Sequence, residues 1–179
     1  TKLEIIKNKE SFQHNSNLII KNFDHNKIIL LNGNFVDSDF KFEEKGKINI
    51  KPLKSIFSDK KNFEKIKSYF GDDQNSLISL NHALVMDGIN FEIDDNYTFN
   101  KPLIIYNFFD QNADNKIINN KVFITLGSES RLSLIENYKC ENNIKYFNNS
   151  VHNYIIKKNA IFKKFTINES LDKSYNYNS

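Results

Sequence analysis

Apolar and polar residues alternate with a period of two through the C-terminal half of the chain, and this pattern is repeated. Residues 120–139 recur at residues 149–170, thirty positions later, and the two copies align without a gap. The alignment pairs Leu126 with Ile156, Ser130 with Ala160, Leu132 with Phe162, and Ile135 with Phe165. A weaker copy lies 33 positions upstream, where the matching residues are Ile93, Tyr97, Phe99 and Pro102.

Each copy consists of an alternating strand, a short polar corner and a second alternating strand. A repeat of about thirty residues with this internal pattern predicts stacked units, none of which can bury its apolar face alone. We therefore expect the early coils of a parallel β-helix, with corners at Gly127-Ser128 and Lys158-Asn159. In that arrangement the inward-pointing, stacked side chains are Leu126, Leu132, Ile156 and Phe162.

The N-terminal half combines short strands with helices. Residues 27–36 predict a hairpin, because two apolar runs flank Asn32-Gly33, the residue pair that tight hairpin turns prefer. Residues 47–51 suit a short strand, and Pro52 suits the first turn of a short helix. Residues 1–21 give little signal.

Two helices are predicted from apolar residues at helical spacing. The first covers residues 59–70 and is followed by Gly71 at the C-cap. The second covers residues 76–87, with an apolar face formed by Leu77, Leu80, Leu84 and Val85, and is expected to end at Gly88. Since the period changes there, we divide the chain into a small mixed α/β segment, residues 1–88, and the stacked repeats, residues 89–179.

Composition changes this picture in two respects. With only 5 Gly and 2 Pro, the turns must depend on Asn and Asp, which tolerate left-handed backbone. The formal net charge of +3, from 25 basic and 22 acidic residues, requires no oppositely charged partner.

A single cysteine excludes an internal disulfide framework and is typical of a reducing compartment. Without a long apolar run or a secretory leader, we expect a cytoplasmic protein. Because the chain begins with Thr1 and stops at Ser179 within a patterned region, we also expect a fragment of a longer protein.

The candidate chemical groups favour structural roles. Cys140 is the only thiol and cannot hold a metal or cluster alone, so a packing or surface role is favoured, with transient ligation of sulfur or a cluster as the alternative. The histidines lack metal-ligand spacing; they are His14, His25, His82 and His152. We expect His82 to form structural hydrogen bonds on its helix, and His152 to face solvent.

The charged pairs are interpreted in the same way. Asp72-Asp73 and Asp94-Asp95 are adjacent residues in turns, whereas glycosidase chemistry needs two opposed carboxylates. Lys157-Lys158 and Lys163-Lys164, with two Phe residues among them, resemble a nucleic-acid patch, but alternation assigns the lysines to the outer face and a corner.

Three short sequence motifs, together with the repeat, resemble those of a known family. KIILLNGNFV at residues 27–36, SLNHALVMDG at residues 79–88 and NKPLIIYN at residues 100–107 occur in this order. The repeat, with LIENY at residues 134–138, follows them. In combination they resemble the SufB/SufD family, the scaffold proteins of the Suf iron–sulfur cluster assembly system. The motifs at residues 27–36 and 100–107 favour the SufD branch.

The resemblance implies a mainly β fold, with a right-handed parallel β-helix preceded by a small mixed α/β segment. It implies a non-catalytic scaffold whose partners are SufB and the ABC-type ATPase SufC, within the SufBCD complex. The iron–sulfur cluster is then handled by the whole complex, with no cofactor bound by these residues. In the family, SufC docks on a helical C-terminal domain, so we expect residues 1–179 alone not to bind SufC.

The resemblance assigns no catalytic, cofactor-binding or metal-binding residue to this chain. Two other classes stay open at this point. A carbohydrate-active or carbohydrate-binding β-helix would need a row of carboxylates and aromatic or basic residues along one face, which the copies do not share. A nucleic-acid module is disfavoured by the nearly balanced charge.

Overall fold

The computed structural model describes residues 19–71, 74–169 and 174–179, and within them the chain is mainly β. The N-terminal elements are β1 (Asn26–Leu31), β2 (Asn34–Asp39), β3 (Ile48–Pro52), α1 (Leu53–Phe57), α2 (Lys60–Ile66), a 3-10 turn (Lys67–Phe70) and α3 (Ser76–Leu84). They are followed by β4 (Asp87–Ile93), β5 (Leu103–Phe109), a 3-10 turn (Gln111–Ala113), β6 (Lys116–Leu126), β7 (Arg131–Cys140), β8 (Tyr146–Ile156), β9 (Ile161–Asn168) and β10 (Tyr175–Asn178).

The described strands form two five-stranded sheets. Sheet A has the order β2-β1-β5-β7-β9, and sheet B has the order β10-β8-β6-β4-β3. From β4 onward, successive strands alternate between the two sheets, and neighbours within a sheet run parallel. Antiparallel pairing is confined to β1 with β2 and β3 with β4. The two mixed sheets are therefore mostly parallel.

The thirty-residue repeat predicted from the sequence is the observed strand register. In sheet B, Leu126 of β6 lies opposite Ile156 of β8. In sheet A, Leu132 of β7 lies opposite Phe162 of β9. Both alternating strands of each copy therefore pair with their counterparts in the next, and the gapless alignment is confirmed.

The weaker upstream copy follows the alignment only as far as its corner. Ile93 lies opposite Leu126, as predicted, and Thr98 forms a bridge to Arg131. Pro102, however, does not align with Ile135; that position is taken by Ile104. This part of the prediction is wrong because the upstream corner is longer. Four residues separate Thr98 from Leu103, whereas two separate the residues with which they pair, Arg131 and Leu134.

The corners depend on left-handed backbone at equivalent positions. Asn96, Glu129 and Asn159 have φ angles of 60°, 61° and 57°. Among the described residues, five of the six non-glycine positions with positive φ are asparagines. The composition-based prediction that Asn forms the turns is confirmed, because the Asn side chain tolerates a conformation that is strained for most residues.

The main apolar core lies between the sheets and includes side chains from both. Its buried members are Ile28, Leu30, Ile89, Phe91, Ile93, Tyr97, Leu103, Ile105, Val122, Ile124, Leu126, Leu132 and Leu134. Phe162 is half-buried against this core, whereas Ile156 is 49% exposed. The predicted inward stacking is therefore confirmed for Leu126 and Leu132, holds partly for Phe162, and is wrong for Ile156.

The outer face of sheet B is covered by the helices. Leu53 and Ile56 of α1 and Ile66 of α2 form a second buried cluster with Phe123 of β6. Asp59 caps α2 by accepting hydrogen bonds from the backbone N–H groups of Lys61 and Asn62. Asn75 caps α3 in the same way. The described helices include none that is long and apolar enough to cross a membrane.

The N-terminal predictions are largely confirmed. The hairpin forms around Asn32 and Gly33, whose φ angles are 50° and 78°, and Leu31 pairs with Asn34. Strand β3 and helix α2 with its 3-10 turn also match. Strands β1, β2 and β3 join the same two sheets as the repeats. The division of the chain at residue 88 stays a prediction.

Helix α3 differs from its prediction at the C-terminal end. It stops at Leu84, and the residue buried on it is Asn81 rather than the leucines of the predicted face. Gly88 lies inside β4 with a φ of 142°, where a Cβ would come within 1.9 Å of the Lys121 carbonyl oxygen. This glycine permits two strands to approach closely and does not end a helix. Gly71 likewise has a negative φ of −73°, so it does not form a left-handed cap.

Candidate functional site

A buried ionic cluster lies between the two sheets, centred on Glu136 of β7. Alternation along β7 directs Leu132, Leu134, Glu136 and Tyr138 to the same inner face, where all four are buried. The Glu136 side chain is 0% exposed. A charged group that is fully buried must be paired, because an unpaired buried charge destabilises the folded state strongly.

Two basic side chains from neighbouring strands contact this carboxylate. His152 Nδ1 of β8 lies 2.9 Å from Glu136 Oε1, and its side chain is 3% exposed. Lys164 Nζ of β9 lies 3.0 Å from Glu136 Oε2. The cluster therefore joins sheet B to two strands of sheet A.

Two tyrosines complete the coordination of the carboxylate. The hydroxyls of Tyr138 and Tyr154 donate to Oε2 and Oε1 of Glu136, each at 3.3 Å. Beyond them, Ser150 Oγ lies 2.7 Å from His152 Nε2, so both ring nitrogens of that histidine have polar neighbours.

The electrostatics keep Glu136 ionised. Burial alone raises the pKa of the carboxyl, but the charges of His152 and Lys164 outweigh it and lower the pKa to about 2. Burial and the Glu136 charge raise the pKa of Tyr138 and of Tyr154, so both hydroxyls keep their protons and donate. A carboxylate with such a low pKa is a poor general base near neutral pH. The arrangement suits cross-linking of strands.

The sequence interpretation placed His152 on the wrong face. It was predicted to face solvent because Val151 was taken as the inward residue, but the register puts His152 opposite Val122 of the core. Lys164, predicted on the outer face, also points to Glu136, whereas its neighbour Lys163 is exposed as expected. The sequence did contain one indication of this cluster. Glu136 alternates with the inward-facing Leu132 and Leu134 on β7, so a buried carboxylate that needs a partner could have been predicted.

The other candidates occupy structural positions. Cys140 ends β7 half-buried, packed against a cluster that includes Phe109 and Tyr146. His82 is hydrogen-bonded, as predicted, since Nδ1 lies 3.0 Å from the Gly71 carbonyl and Nε2 lies 2.7 Å from Lys121 Nζ.

The remaining residues are likewise accounted for. His25 Nδ1 lies 2.9 Å from the Phe23 carbonyl oxygen. Asp95, in the turn after β4, accepts a hydrogen bond from Ser128 N–H. His14 and the pair Asp72-Asp73 lie outside the described residues. Within the described part of the chain, no group of three or more His, Cys, Asp or Glu side chains could hold a metal ion.

Lys121 of β6 is a second buried charge that sequence reasoning missed. It is 0% exposed, its Nζ donates to the Tyr69 carbonyl at 3.1 Å, and it lies 4.7 Å from the Phe70 ring centroid. The helices cover it on the outer face of sheet B. It lies on the opposite face of β6 from the core residues Val122, Ile124 and Leu126. Alternation alone therefore gives no sign of its burial, which depends on the helices that cover this face.

No protein-family model matches the chain, and no curated protein matches it significantly.

Proposed function

We propose that this chain is part of a non-catalytic scaffold of the SufD type, acting in iron–sulfur cluster assembly. The observation that carries the proposal is the thirty-residue register, in which strands alternate between two mostly parallel sheets over a shared core. This geometry supports the parallel β-helix that the resemblance of residues 27–36, 79–88 and 100–107 and of the repeat implies. The SufB/SufD family supplies the functional assignment.

In this proposal the two sheets are faces of a right-handed parallel β-helix. Alternation of successive strands between sheets supports it, since consecutive strands of a β-helix lie in different faces of the coil. Stacked units of this kind form a stiff rod whose flanks and ends are available to partners. The buried pairs of Glu136 with His152 and Lys164 add polar cross-links inside the rod.

The partners proposed are SufB and SufC, in the cytoplasm. No residue of the chain is assigned a catalytic, cofactor-binding or metal-binding role, and the iron–sulfur cluster is cargo of the assembled complex. Cys140→Ser is accordingly expected to leave cluster assembly intact, because the half-buried thiol packs at the end of β7.

The test is affinity purification of the natural gene product, tagged at its own locus, with the co-purifying proteins identified by mass spectrometry. SufB and SufC are expected in stoichiometric amounts, and a tagged unrelated protein of the same cell serves as the control. Recovery of the intact tagged protein without SufB overturns the proposal. Loss of iron–sulfur enzyme activity on deletion, restored by both the native and the Cys140→Ser genes, supports it.

A further inference from the structure

A groove of about 400 Å³ lies where the corner between β4 and β5 meets the start of β7 and of β9. It is separate from the buried cluster around Glu136, whose members do not line it. Such a volume lies within the range of small-ligand sites.

The groove is lined by cations without a carboxylate. Lys101, Arg131 and Lys163 are among the lining residues, and none of the lining residues is acidic. Arg131 is the only arginine in a sequence with 24 lysines. Arg131 and Lys163 are both exposed and, within the described residues, neither forms an ion pair. Lys101 has only a loose pair with Asp24, at 3.7 Å, in which both side chains are substantially exposed.

The neutral part of the lining is of two kinds. Thr98 and Ser133 provide hydroxyl groups beside the cations, while Phe99, Pro102 and Ile161 provide apolar walls. Ile161, the first residue of the edge strand β9, is 42% exposed. The groove therefore offers a polar, positively charged part and an apolar part next to each other.

The framework beneath the groove is rigid. Arg131 N–H donates to the Tyr97 carbonyl at 3.0 Å, and Phe99 N–H donates to the Arg131 carbonyl at 3.1 Å. Ser133 lies directly opposite Lys163 in the parallel register of β7 and β9. Arg131 and Lys163 are thus carried by paired strands, which lowers the ordering cost of binding. Lys101 lies in the corner before β5.

We propose that this groove binds a small phosphate monoester with an apolar body. The planar guanidinium of Arg131 matches two phosphate oxygens at once, and Lys163 and Lys101 supply the additional charge that a dianion attracts better than a monoanion does. The hydroxyls of Thr98 and Ser133 donate to the remaining phosphate oxygens. The apolar body rests against Phe99, Pro102 and Ile161.

Binding is measured by isothermal titration calorimetry at low salt, with phenyl phosphate, inorganic phosphate and benzoate as probes. Phenyl phosphate is expected to bind saturably and more tightly than the other two, because only it has both the dianion and the ring. Arg131→Gln is expected to weaken it about tenfold or more, as for loss of a charged hydrogen-bonding partner, and Lys163→Gln less. Ile161→Ser should weaken phenyl phosphate without affecting inorganic phosphate.

Lys116→Gln is the matched control, since Lys116 is exposed on β6 and does not line the groove. Equal melting temperatures of the variants establish that all of them are folded. Absence of saturable phenyl phosphate binding by the folded native protein overturns the proposal. So does an Arg131→Gln affinity equal to that of Lys116→Gln, because binding would then reflect general surface charge.

Discussion

At the scale of single residues, Glu136 is the most consequential polar group in the core. Glu136→Gln keeps the shape of the side chain but removes the buried negative charge that pairs with Lys164 and contacts His152. We expect a loss of about 3–5 kcal/mol in the free energy of unfolding at pH 7, the usual cost of breaking one side of a buried pair. Urea denaturation of the two proteins measures it.

The pH dependence of the difference in unfolding free energy between the native protein and Glu136→Gln tests whether the Glu136 charge causes it. The pKa of Glu136 falls from 4.5 to about 2 on folding, so its ion pairs stabilise the protein above pH 4.5, and this contribution is lost as the pH falls through about 2. The gap between the native protein and Glu136→Gln should therefore narrow across this window. Glu64→Gln, at an exposed pair with Lys67, is the control and should change stability by less than about 0.5 kcal/mol. A constant gap would contradict the ionic explanation.

Leu132 tests the apolar core at the same scale. It is 2% exposed and packs between the sheets, so Leu132→Ala removes buried methyl groups and leaves a cavity. We expect a loss of about 2–5 kcal/mol, as for other buried large-to-small changes. Leu84→Ala, at a leucine that is 51% exposed, serves as the comparison in the same thermal and urea measurements. Similar losses for the two variants would rule out the inward stacking of Leu132.

At the scale of elements, a comparison of the equivalent corners suggests a substitution that stabilises the protein. Asn96 and Asn159 occupy the left-handed corner position in two copies of the repeat, and Glu129 occupies it in the copy between them. Because Asn adopts this conformation at lower cost than Glu, Glu129→Asn should stabilise the protein by about 0.5–1 kcal/mol. A rise in melting temperature is the readout. A fall would mean that the bond which Glu129 accepts from the Asn159 side chain outweighs the backbone strain.

Gly88 tests the close approach of β4 and β6. In Gly88→Ala the new methyl group would meet the Lys121 carbonyl oxygen, so one strand must move away and the loss should exceed about 4 kcal/mol or prevent folding. Gly46→Ala is a useful control because Gly46 also has a positive φ, 86°, but has no atom within 4 Å of the added carbon. Its cost should be only the roughly 1–2 kcal/mol of backbone strain, as judged by circular dichroism and urea melts. Equal costs for the two would contradict a steric role.

The elements were predictable wherever a local signal sufficed. The Asn32-Gly33 hairpin, the repeat and its corners could be derived from period and turn chemistry, because strands and turns depend on neighbouring residues. The end of α3 could not, since Gly88 is needed for contact with Lys121, a residue 33 positions away. The buried cluster escaped prediction for the same reason. The face of the sheet to which each side chain of β8 points is set by its pairing with β6. Alternation alone does not decide whether His152 or its neighbours point inward.

At the scale of the whole molecule, one edge of the structure remains apolar. Strand β9 is the last strand of sheet A, and exposed apolar residues lie on it and at the end of β8. They are Ile156, 49% exposed, with Ile161, Phe165 and Ile167, which are 42%, 61% and 39% exposed. An apolar edge strand with available backbone groups is a template for association between chains.

We therefore expect the 21.0 kDa chain to sediment as species larger than a monomer at micromolar concentrations. The double variant Phe165→Lys, Ile167→Lys should shift it toward the monomer, because charges on an edge strand oppose pairing with another chain. Met86→Lys is the control, since Met86 is 74% exposed but lies away from this edge. A native chain that sediments as a monomer at every concentration would contradict the expectation.

The constant register between strands also sets how this protein can change length during evolution. Neighbouring strands are separated by 30 residues in the pairs Leu126–Ile156 and Leu132–Phe162, so duplication of a whole thirty-residue unit adds one strand to each sheet and leaves every existing pair intact. A single inserted residue within a strand would turn the following side chains of that strand to the opposite face. Small insertions are therefore confined to the corners, as in the corner between Thr98 and Leu103, where two additional residues are already accommodated. Lineages of such a protein should accordingly differ by whole units or by corner length, and seldom by anything between.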